Sequence, residues 1–340
     1  MTTITSRTLT WVQPGQWSKR LARGLARGLG GILALIMGLA VVGAGYEAVS
    51  VRGDAQAYPM LGRLVDVGGY QLHLQCVGTG SPTVVLDAGL GGSSLDWSLV
   101  QPQMAATTQV CAYDRAGMGW SDPGPLPRTP ERIARELHTL LTNAGIQGPF
   151  VLVGHSLGGK NVRMFAALYP DQVAGLVLID ARSEYVDART SPAEAQSFQQ
   201  SMATQNDEFR VVRALGLIRL FGAGLFSPPA MQSATRTAMA LLGTKPQALA
   251  ATQAEALERA TDDAQLQAAP SLGDRPLRVL ASEQNITGTP NWAAAQQQLA
   301  GLSTRGRLIV PAGSGHYIHW DHPAVVIDAV RQVVQQVRGE

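Results

Sequence analysis

The sequence predicts an α/β fold, in which a mostly parallel β-sheet is covered by helices on both faces. Three observations support this: short runs rich in Val, Ile and Leu, helical patterns between the later runs, and a regular alternation of the two from residue 150 onward. Parallel strands need a helical crossover and are buried on both faces, so they appear as continuous apolar runs. The alternation is therefore typical of a parallel sheet in one large domain.

Eight short apolar runs predict the strands. They cover residues 64–67, 70–77, 83–86, 110–114, 150–153, 173–179, 277–281 and 307–310. The first two runs flank Gly68 and Gly69, which is a hairpin signal. Helices are predicted between the later strands and at the end of the chain, over residues 157–168, 292–302 and 323–337.

Residues 181–274 interrupt this alternation. They are rich in Ala and Gln, contain the apolar run 214–226, and offer no convincing strand. A structureless loop of about 90 residues inside a compact domain would be unusual. We therefore expect a helical cap inserted after the sixth strand, and its apolar run favours an apolar pocket.

The N-terminal region has the composition of a membrane anchor. Residues 28–46 (GLGGILALIMGLAVVGAGY) carry no charge, and a helix of this length spans about 28 Å, close to the hydrocarbon thickness of a bilayer. Residues 1–27 are a basic leader without any acid, which by the positive-inside rule stays in the cytoplasm. We expect a single-pass inner-membrane anchor, a linker over residues 47–61, and an exported catalytic domain, periplasmic or extracellular, over residues 62–340.

A cleaved signal peptide is the alternative to a retained anchor. Small residues at positions 42–44 would suit a signal peptidase, and cleavage there would release a secreted domain. The uncharged stretch is longer than the usual apolar region of a signal peptide, about 7–15 residues, which favours retention.

Charge and cysteine content exclude several classes of protein. Five of the 27 Lys and Arg residues lie before residue 50 and only one of the 25 acids, Glu47, does so. The rest of the chain is near neutral and does not resemble a nucleic-acid-binding surface. Two cysteines, Cys76 and Cys111, exclude a disulfide framework and a Cys-rich metal site, and an oxidising compartment would permit one bridge.

Residues 154–158 (GHSLG) match the pattern G-x-S-x-G. Alone the motif is weak in a chain with 37 glycines, and an ordinary glycine-rich turn would explain it. Here it follows a predicted strand and opens a predicted helix, a setting that holds a serine oxygen out above the sheet. We therefore expect Ser156 to be a nucleophile.

A serine hydroxyl needs a base to remove its proton, so a histidine should follow downstream. His316 ends the flexible segment 313–316 (GSGH) after the last predicted strand, where the order serine, acid, histidine places the base. His319 in the same loop is the main competitor. His155 directly precedes Ser156 and should point away from the serine oxygen.

Five segments together resemble the α/β-hydrolase superfamily, and the resemblance covers residues 62–340. The segments are residues 84–92 (VVLDAGLGG), 113–121 (YDRAGMGWS), 154–159 (GHSLGG), 175–180 (GLVLID) and 313–316 (GSGH). The resemblance implies an α/β-hydrolase fold with eight strands, a serine-based hydrolysis, and neither a metal nor an organic cofactor.

The same resemblance implies an oxyanion hole. Acyl transfer builds negative charge on a carbonyl oxygen, which two fixed backbone N–H groups must face. One would come from Leu157, directly after the nucleophile, and the other from Leu90. Ala88 stands where relatives carry a histidine, but a backbone donor survives that change.

Two carboxylates compete for the role of the triad acid. Most relatives place an aspartate after the seventh strand, where this chain has only Glu283, one position early. Some relatives place the acid at the end of the sixth strand, which is Asp180 here. We expect Asp180 to orient His316, with Glu283 as the alternative acid. The other possible role of Asp180 is structural, at the start of the loop that leads into the inserted helical region.

Other residues of these segments have simpler expected roles. Asp114 and Arg115 should form a buried pair that braces their loop, and Lys160 should lie on a solvated helix surface. The superfamily's strand order makes the strands of Cys76 and Cys111 neighbours, so a disulfide and two free thiols are both open.

The expected function is hydrolysis of a small or medium apolar carboxylic ester through an acyl-enzyme. Thioester, lactone, amide or carbon–carbon hydrolysis and acyl transfer share the serine nucleophile and are alternatives. Dehalogenation and epoxide opening are disfavoured because relatives with those activities carry aspartate in place of Ser156. A catalytically silent envelope binding protein is the alternative from another class.

Overall fold

An eight-stranded, mostly parallel sheet forms the centre of the molecule, as predicted. The computed structural model describes residues 14–187, 191–225 and 227–340. The strand order is β1-β2-β4-β3-β5-β6-β7-β8, and β2 pairs antiparallel with β1 and β4 whereas the other neighbours are parallel. The strands are β1 (Arg63–Asp66), β2 (Gln71–Val77), β3 (Thr83–Asp87), β4 (Val110–Tyr113), β5 (Phe150–His155), β6 (Val173–Ile179), β7 (Leu277–Leu280) and β8 (Gly306–Ile309).

Helices follow most strands and cover both faces of the sheet. In chain order they are α1 (Pro14–Ser50), α2 (Asp54–Ala57), α3 (Gln101–Met104), α4 (Pro130–Asn143), α5 (Leu157–Leu168), α6 (Glu184–Asp187), α7 (Pro192–Ala214), α8 (Leu217–Leu225), α9 (Ser233–Gly243), α10 (Pro246–Leu257), α11 (Arg259–Gln267), α12 (Glu283–Gly288), α13 (Trp292–Ala300), α14 (Ile318–Asp321) and α15 (Pro323–Arg338).

Alternate residues of the central strands supply two separate apolar cores. Val85 and Leu152 pack with α4, α5 and α13 on one face, whereas Val84 and Val151 pack with α3 and α15 on the other. Both faces of β3 and β5 are therefore buried, which explains why these strands are continuously apolar. The carboxyl ends of the parallel strands are left to carry polar side chains.

Six helices, α6 to α11, form the cap between β6 and β7. Within residues 181–187, 191–225 and 227–276 the structure contains no named strand, so the expected helical insertion after the sixth strand is confirmed. Phe226, the last residue of the predicted apolar run, lies outside the described residues.

The cap buries a charged cluster against the core. Lys160 of α5 is fully buried, and its Nζ lies 2.6 Å from Asp263 Oδ1 of α11. The expectation that Lys160 lies on a solvated surface is wrong because α11 packs over α5. Asp262, next to that pair, is 1% exposed, and its Oδ1 has no hydrogen-bond partner among the described residues.

Asp262 should make the stability of the protein fall as pH rises. Burial raises its pKa to about 8, so between about pH 4 and pH 8 the folded chain holds a proton that the unfolded chain releases. Asp262→Asn removes this dependence, because an amide stays neutral. We expect the stability of the variant relative to the wild type to increase by on the order of 4 kcal/mol between pH 5 and pH 9, about three pKa units.

Thermal unfolding at the two pH values measures this difference. Asp207→Asn is the control, because the Asp207 side chain is 74% exposed. This substitution should change the free energy of unfolding equally at both pH values. An Asp262→Asn variant with the wild-type pH dependence would show that Asp262 is ionised in the folded protein.

Cys76 and Cys111 face each other across the antiparallel pair β2–β4 and form a disulfide. The resemblance implied that the strands of Cys76 and Cys111 are neighbours, and this is correct. The sequence left a disulfide and two free thiols open, and the structure contains the disulfide. It joins residues that are 35 positions apart in the chain.

Reduction of this disulfide should destabilise the protein. A loop of this length restricts the unfolded chain enough to contribute about 3–4 kcal/mol of stability. Denaturant unfolding with and without dithiothreitol measures the loss, and the Cys76→Ala/Cys111→Ala variant should be insensitive to the reductant. Equal midpoints for the oxidised and reduced wild type would rule out a stabilising bridge.

The N-terminal region is more helical than the predicted boundaries suggest. Helix α1 runs from Pro14 through the expected anchor to Ser50, and residues 1–13 of the basic leader lie outside the described residues. The expected linker over residues 47–61 contains the last turn of α1 and the short helix α2. Among the described residues, one helical stretch, Leu21–Ala57, is long and apolar enough to cross a membrane by length and composition.

Candidate active site

Ser156 lies in a strained turn between β5 and α5. Its backbone has φ 52° and ψ −115°, and such a conformation persists in a non-glycine residue only where the surroundings enforce it. The Ser156 N–H donates to the Ile179 carbonyl of β6 at 3.0 Å. A Cβ at Gly154 or Gly158 would lie 2.4 Å from a backbone oxygen, which explains both motif glycines.

Asp180, directly after β6, also has a positive φ, of 41°. Its buried carboxylate accepts hydrogen bonds from the Ser282 N–H and hydroxyl, both at 2.9 Å, from Asn285 Nδ2 at 2.5 Å and from Trp292 Nε1 at 2.8 Å. Its Oδ2 lies 2.6 Å from His316 Nδ1. These contacts fix the carboxylate on both oxygens.

The electrostatics of Asp180 favour its ionised form. Burial raises its pKa, but the hydrogen bonds from His316 and Ser282 outweigh this and hold the pKa below its usual value. An ionised carboxylate beside Nδ1 fixes the imidazole tautomer with the proton on Nδ1 and leaves Nε2 as an acceptor.

Glu283 has a different partner. Its Oε2 accepts a hydrogen bond from the Gly313 N–H at 2.7 Å, which braces the loop that carries His316. Of the two carboxylates that the sequence left open, the structure brings Asp180 into contact with the imidazole.

The other histidines of this region are buried around His316. His155 Nε2 lies 3.0 Å from the His316 carbonyl oxygen, and His319 packs on His155 and Trp97 at ring distances of 4.5 and 4.8 Å. Burial and, less strongly, the neighbouring His316 lower the pKa of His319 to about 3. Burial also lowers the pKa of His155 well below its usual value. Both rings are therefore neutral, and His155 positions the backbone of the loop.

The loop after β3 presents the second expected N–H group. Leu90 and Leu157 both line the cavity that contains Ser156 and His316. The Leu157 N–H is at the start of α5 and has no intrahelical acceptor. No described residue accepts a hydrogen bond from the Leu90 N–H. Both donors are thus available to a bound oxygen.

Arg115 holds this loop in place. It donates to the carbonyls of Ala88 and Gly89, both at 2.7 Å, to Asp87 Oδ1 at 2.7 Å, and to both oxygens of Glu255 in α10 at 2.8 and 2.9 Å. All five N–H groups of the guanidinium are used. The predicted bracing role is correct, but the expected pair of Arg115 with Asp114 is wrong.

Asp114 braces other parts of the same region. Its carboxylate accepts from the N–H groups of Ser94 and Trp120 at 2.6 and 3.0 Å, and lies 2.8 Å from His73 Nδ1. Asp114 and Arg115 therefore brace different parts of this region and do not pair with each other, because the two side chains of adjacent residues point in different directions.

A cavity of about 690 Å³ lies between the cap and the carboxyl edge of the sheet. Its floor contains Ser156, His316 and the loop at Leu90. The cap supplies a mostly apolar roof, which includes Phe198, Met202, Phe209, Leu225, Met239, Leu249 and Ala256. An apolar ligand that carries one polar reacting group fits this lining.

Sequence reasoning missed the residues that support Asp180. Ser282, Asn285 and Trp292 lie more than 100 positions away in the chain, and the sequence alone gives no pairing signal at that distance. The available clue was that these residues follow the seventh predicted strand, which lies beside the sixth strand and therefore near Asp180. Within the described residues no group of three or more His, Cys, Asp or Glu side chains is arranged to hold a metal ion.

A family model described as alpha/beta hydrolase fold matches residues 82–323. The match covers more than half of the chain and includes strands β3 to β8, the cap and the loop of His316. This protein therefore belongs to the α/β-hydrolase family.

Individual curated proteins resemble this chain over different shares of their length. The Bacillus subtilis protein YqjL, described as uncharacterized, is 26% identical over 259 residues, covering 75% of this chain and 85% of YqjL. The chain spans only 20% and 16% of the length of two other curated relatives.

Solved structures of different enzymes resemble this chain to a similar degree. A thermophilic esterase from Thermogutta terrifontis is 24% identical with a TM-score of 0.62, over 81% of this chain and 98% of the esterase. The epoxide hydrolase CorEH is 18% identical with a TM-score of 0.63, over 80% and 97%. Such similarities show the fold alone, so the reaction must be argued from the site.

Proposed function

We propose that this protein is a serine hydrolase that cleaves small or medium apolar carboxylic esters through an acyl-enzyme. The observation that carries the proposal is the 2.6 Å contact between Asp180 Oδ2 and His316 Nδ1 in the cavity that Ser156 also lines. Ser156 is the nucleophile, His316 the base and Asp180 the acid that orients it.

The two half-reactions follow from these positions. His316 Nε2 takes the proton of the Ser156 hydroxyl as its oxygen attacks the ester carbonyl, and then gives that proton to the departing alcohol. Water, deprotonated by the same nitrogen, attacks the acyl-enzyme. The proton then passes from Nε2 to the departing Ser156 oxygen, which releases the acid and restores the free serine. The N–H groups of Leu90 and Leu157 stabilise the oxyanion of each tetrahedral intermediate.

The cavity supports an ester with an apolar acyl or alkyl part. Its cap side is lined mainly by Phe, Met, Leu and Ala side chains, which favour an apolar group over a charged one. The reaction needs no metal or organic cofactor, because the serine, the histidine and the two N–H groups supply every step.

A single-pass membrane anchor with an exported catalytic domain is part of the proposal. The side chains of α1 are exposed almost all round, including Leu29, Ile32 and Leu39 at 67, 58 and 63%, which suits contact with lipid. The disulfide between Cys76 and Cys111 suits an oxidising compartment.

Labelling with a fluorophosphonate probe tests the nucleophile. The full-length protein should be labelled and should hydrolyse p-nitrophenyl esters of short and medium chain length, because the probe and the esters react with the same activated serine. Ser156→Ala should abolish both, whereas Ser201→Ala, on an exposed turn of α7, should retain both. Ester turnover by Ser156→Ala equal to that of the wild type would refute the serine mechanism.

Two matched amide variants test the acid. Asp180→Asn should lower turnover of the same esters by about 10⁴, because an amide no longer holds His316 in the reactive tautomer. Glu283→Gln replaces a carboxylate that contacts only the loop, and it should change turnover far less. A large loss in Glu283→Gln together with a small one in Asp180→Asn would reverse the assignment.

A further inference from the structure

One side of cap helix α8 carries large apolar side chains that nothing in the described chain covers. Leu217, Leu220, Phe221 and Leu225 are 36, 60, 64 and 72% exposed, and their spacing of three to four residues places them in one stripe, here called the α8 outer face. Ile218 and Gly222, on the neighbouring side of the helix, are buried. The apolar surface of α8 is therefore wider than the part that contacts protein.

The outer end of α1 contacts the turn that precedes α8. A Cβ at Gly43 would lie 2.2 Å from the Leu215 carbonyl oxygen, and a Cβ at Gly216 would lie 2.9 Å from the Gly43 carbonyl oxygen. The two backbones touch here, and the glycines permit this approach. Leu217, the first residue of α8, directly follows this contact.

Buried ion pairs fix the same contact. Glu47 at the end of α1 is 8% exposed, and its carboxylate lies 2.5 Å from Arg219 Nε and 3.5 Å from Arg213 Nη2. Arg219 also donates to both oxygens of Asp54, each at 2.6 Å. The one charged residue of α8 is therefore directed towards α1 and α2 and away from the α8 outer face.

The position of this contact along α1 sets the height of α8 relative to a membrane. The uncharged residues 28–46 span about 28 Å, which matches the hydrocarbon layer, and Gly43 lies one turn before their outer end. The charged residues Glu47, Asp54 and Arg219 then lie at the level of the headgroups. An apolar helix face at this level has the position of an interfacial helix, which embeds about 5–10 Å into the headgroup and acyl boundary.

We propose that the α8 outer face is embedded in the membrane leaflet from which α1 emerges. This inference rests on the proposed anchor and is independent of the proposed ester chemistry. The occupant is lipid, because the face is apolar, adjoins the end of the anchor and carries no exposed charge. Leu225 belongs both to this face and to the lining of the cavity, so an apolar substrate dissolved in the leaflet reaches the cavity beside it.

A fluorescent label on the α8 outer face tests this proposal. Both native cysteines are in the disulfide, so Leu220→Cys and Phe221→Cys each introduce a single free thiol at an exposed site. The full-length variants are labelled with nitrobenzoxadiazole and placed in phosphatidylcholine nanodiscs that hold one protein copy. We expect blue-shifted emission. We also expect most of the emission intensity to be lost when the lipid carries a spin label near the top of its acyl chain.

Two control positions separate the possible outcomes. Gln147→Cys, exposed just before β5 at the opposite edge of the sheet, should show water-like emission without quenching, and Leu35→Cys in α1 should be quenched. Quenching at residue 35 but not at 220 or 221 overturns the proposal and leaves the anchor intact. No quenching at any position overturns both. A blue shift at 220 without lipid quenching means that protein covers the face, and it also overturns the proposal.

Discussion

The geometry of the site depends on one buried cation. Arg115 uses every N–H group to join the end of β3, the loop at Ala88 and Gly89, and Glu255 of the cap. A guanidinium without exposed surface is stable only when each donor is satisfied, and removal of one partner of such a buried pair costs about 3–5 kcal/mol. The loop carbonyls are thus held towards Arg115, which leaves the adjacent N–H of Leu90 for the cavity.

Strain at the carboxyl edge of the sheet is concentrated in two neighbouring positions. Ser156 and Asp180 follow β5 and β6, and both have positive φ values. Each N–H bonds to the next strand, Ser156 to the Ile179 carbonyl and Asp180 to that of Leu280. The sheet's hydrogen bonds therefore enforce the turns that project the two side chains, and the packed cores beneath supply the rigidity.

The sequence was sufficient for features encoded locally and insufficient for those that depend on distant packing. The strands, the elbow at Ser156 and the histidine loop all follow from patterns within a few residues of each other. The sequence favoured Asp180 over Glu283 only by its position after the sixth strand, because the contacts of Trp292 and Asn285 with the carboxylate depend on distant packing. The burial of Lys160 was missed for the same reason: its cover, α11, lies 100 residues further along the chain.

The cap is held at two ends by buried charges, which bears on how a substrate enters. Glu255 pairs with Arg115 beside the cavity, and Arg219 pairs with Glu47 at the end of α1. Swinging the cap open as one body would break at least one of these pairs and expose the apolar roof to water, and each change costs several kcal/mol. We therefore expect substrates to enter without cap opening, past Leu225, which is 72% exposed and also lines the cavity. Contact of Leu225 with the proposed leaflet would let the apolar esters of the proposed reaction enter from the lipid by this route.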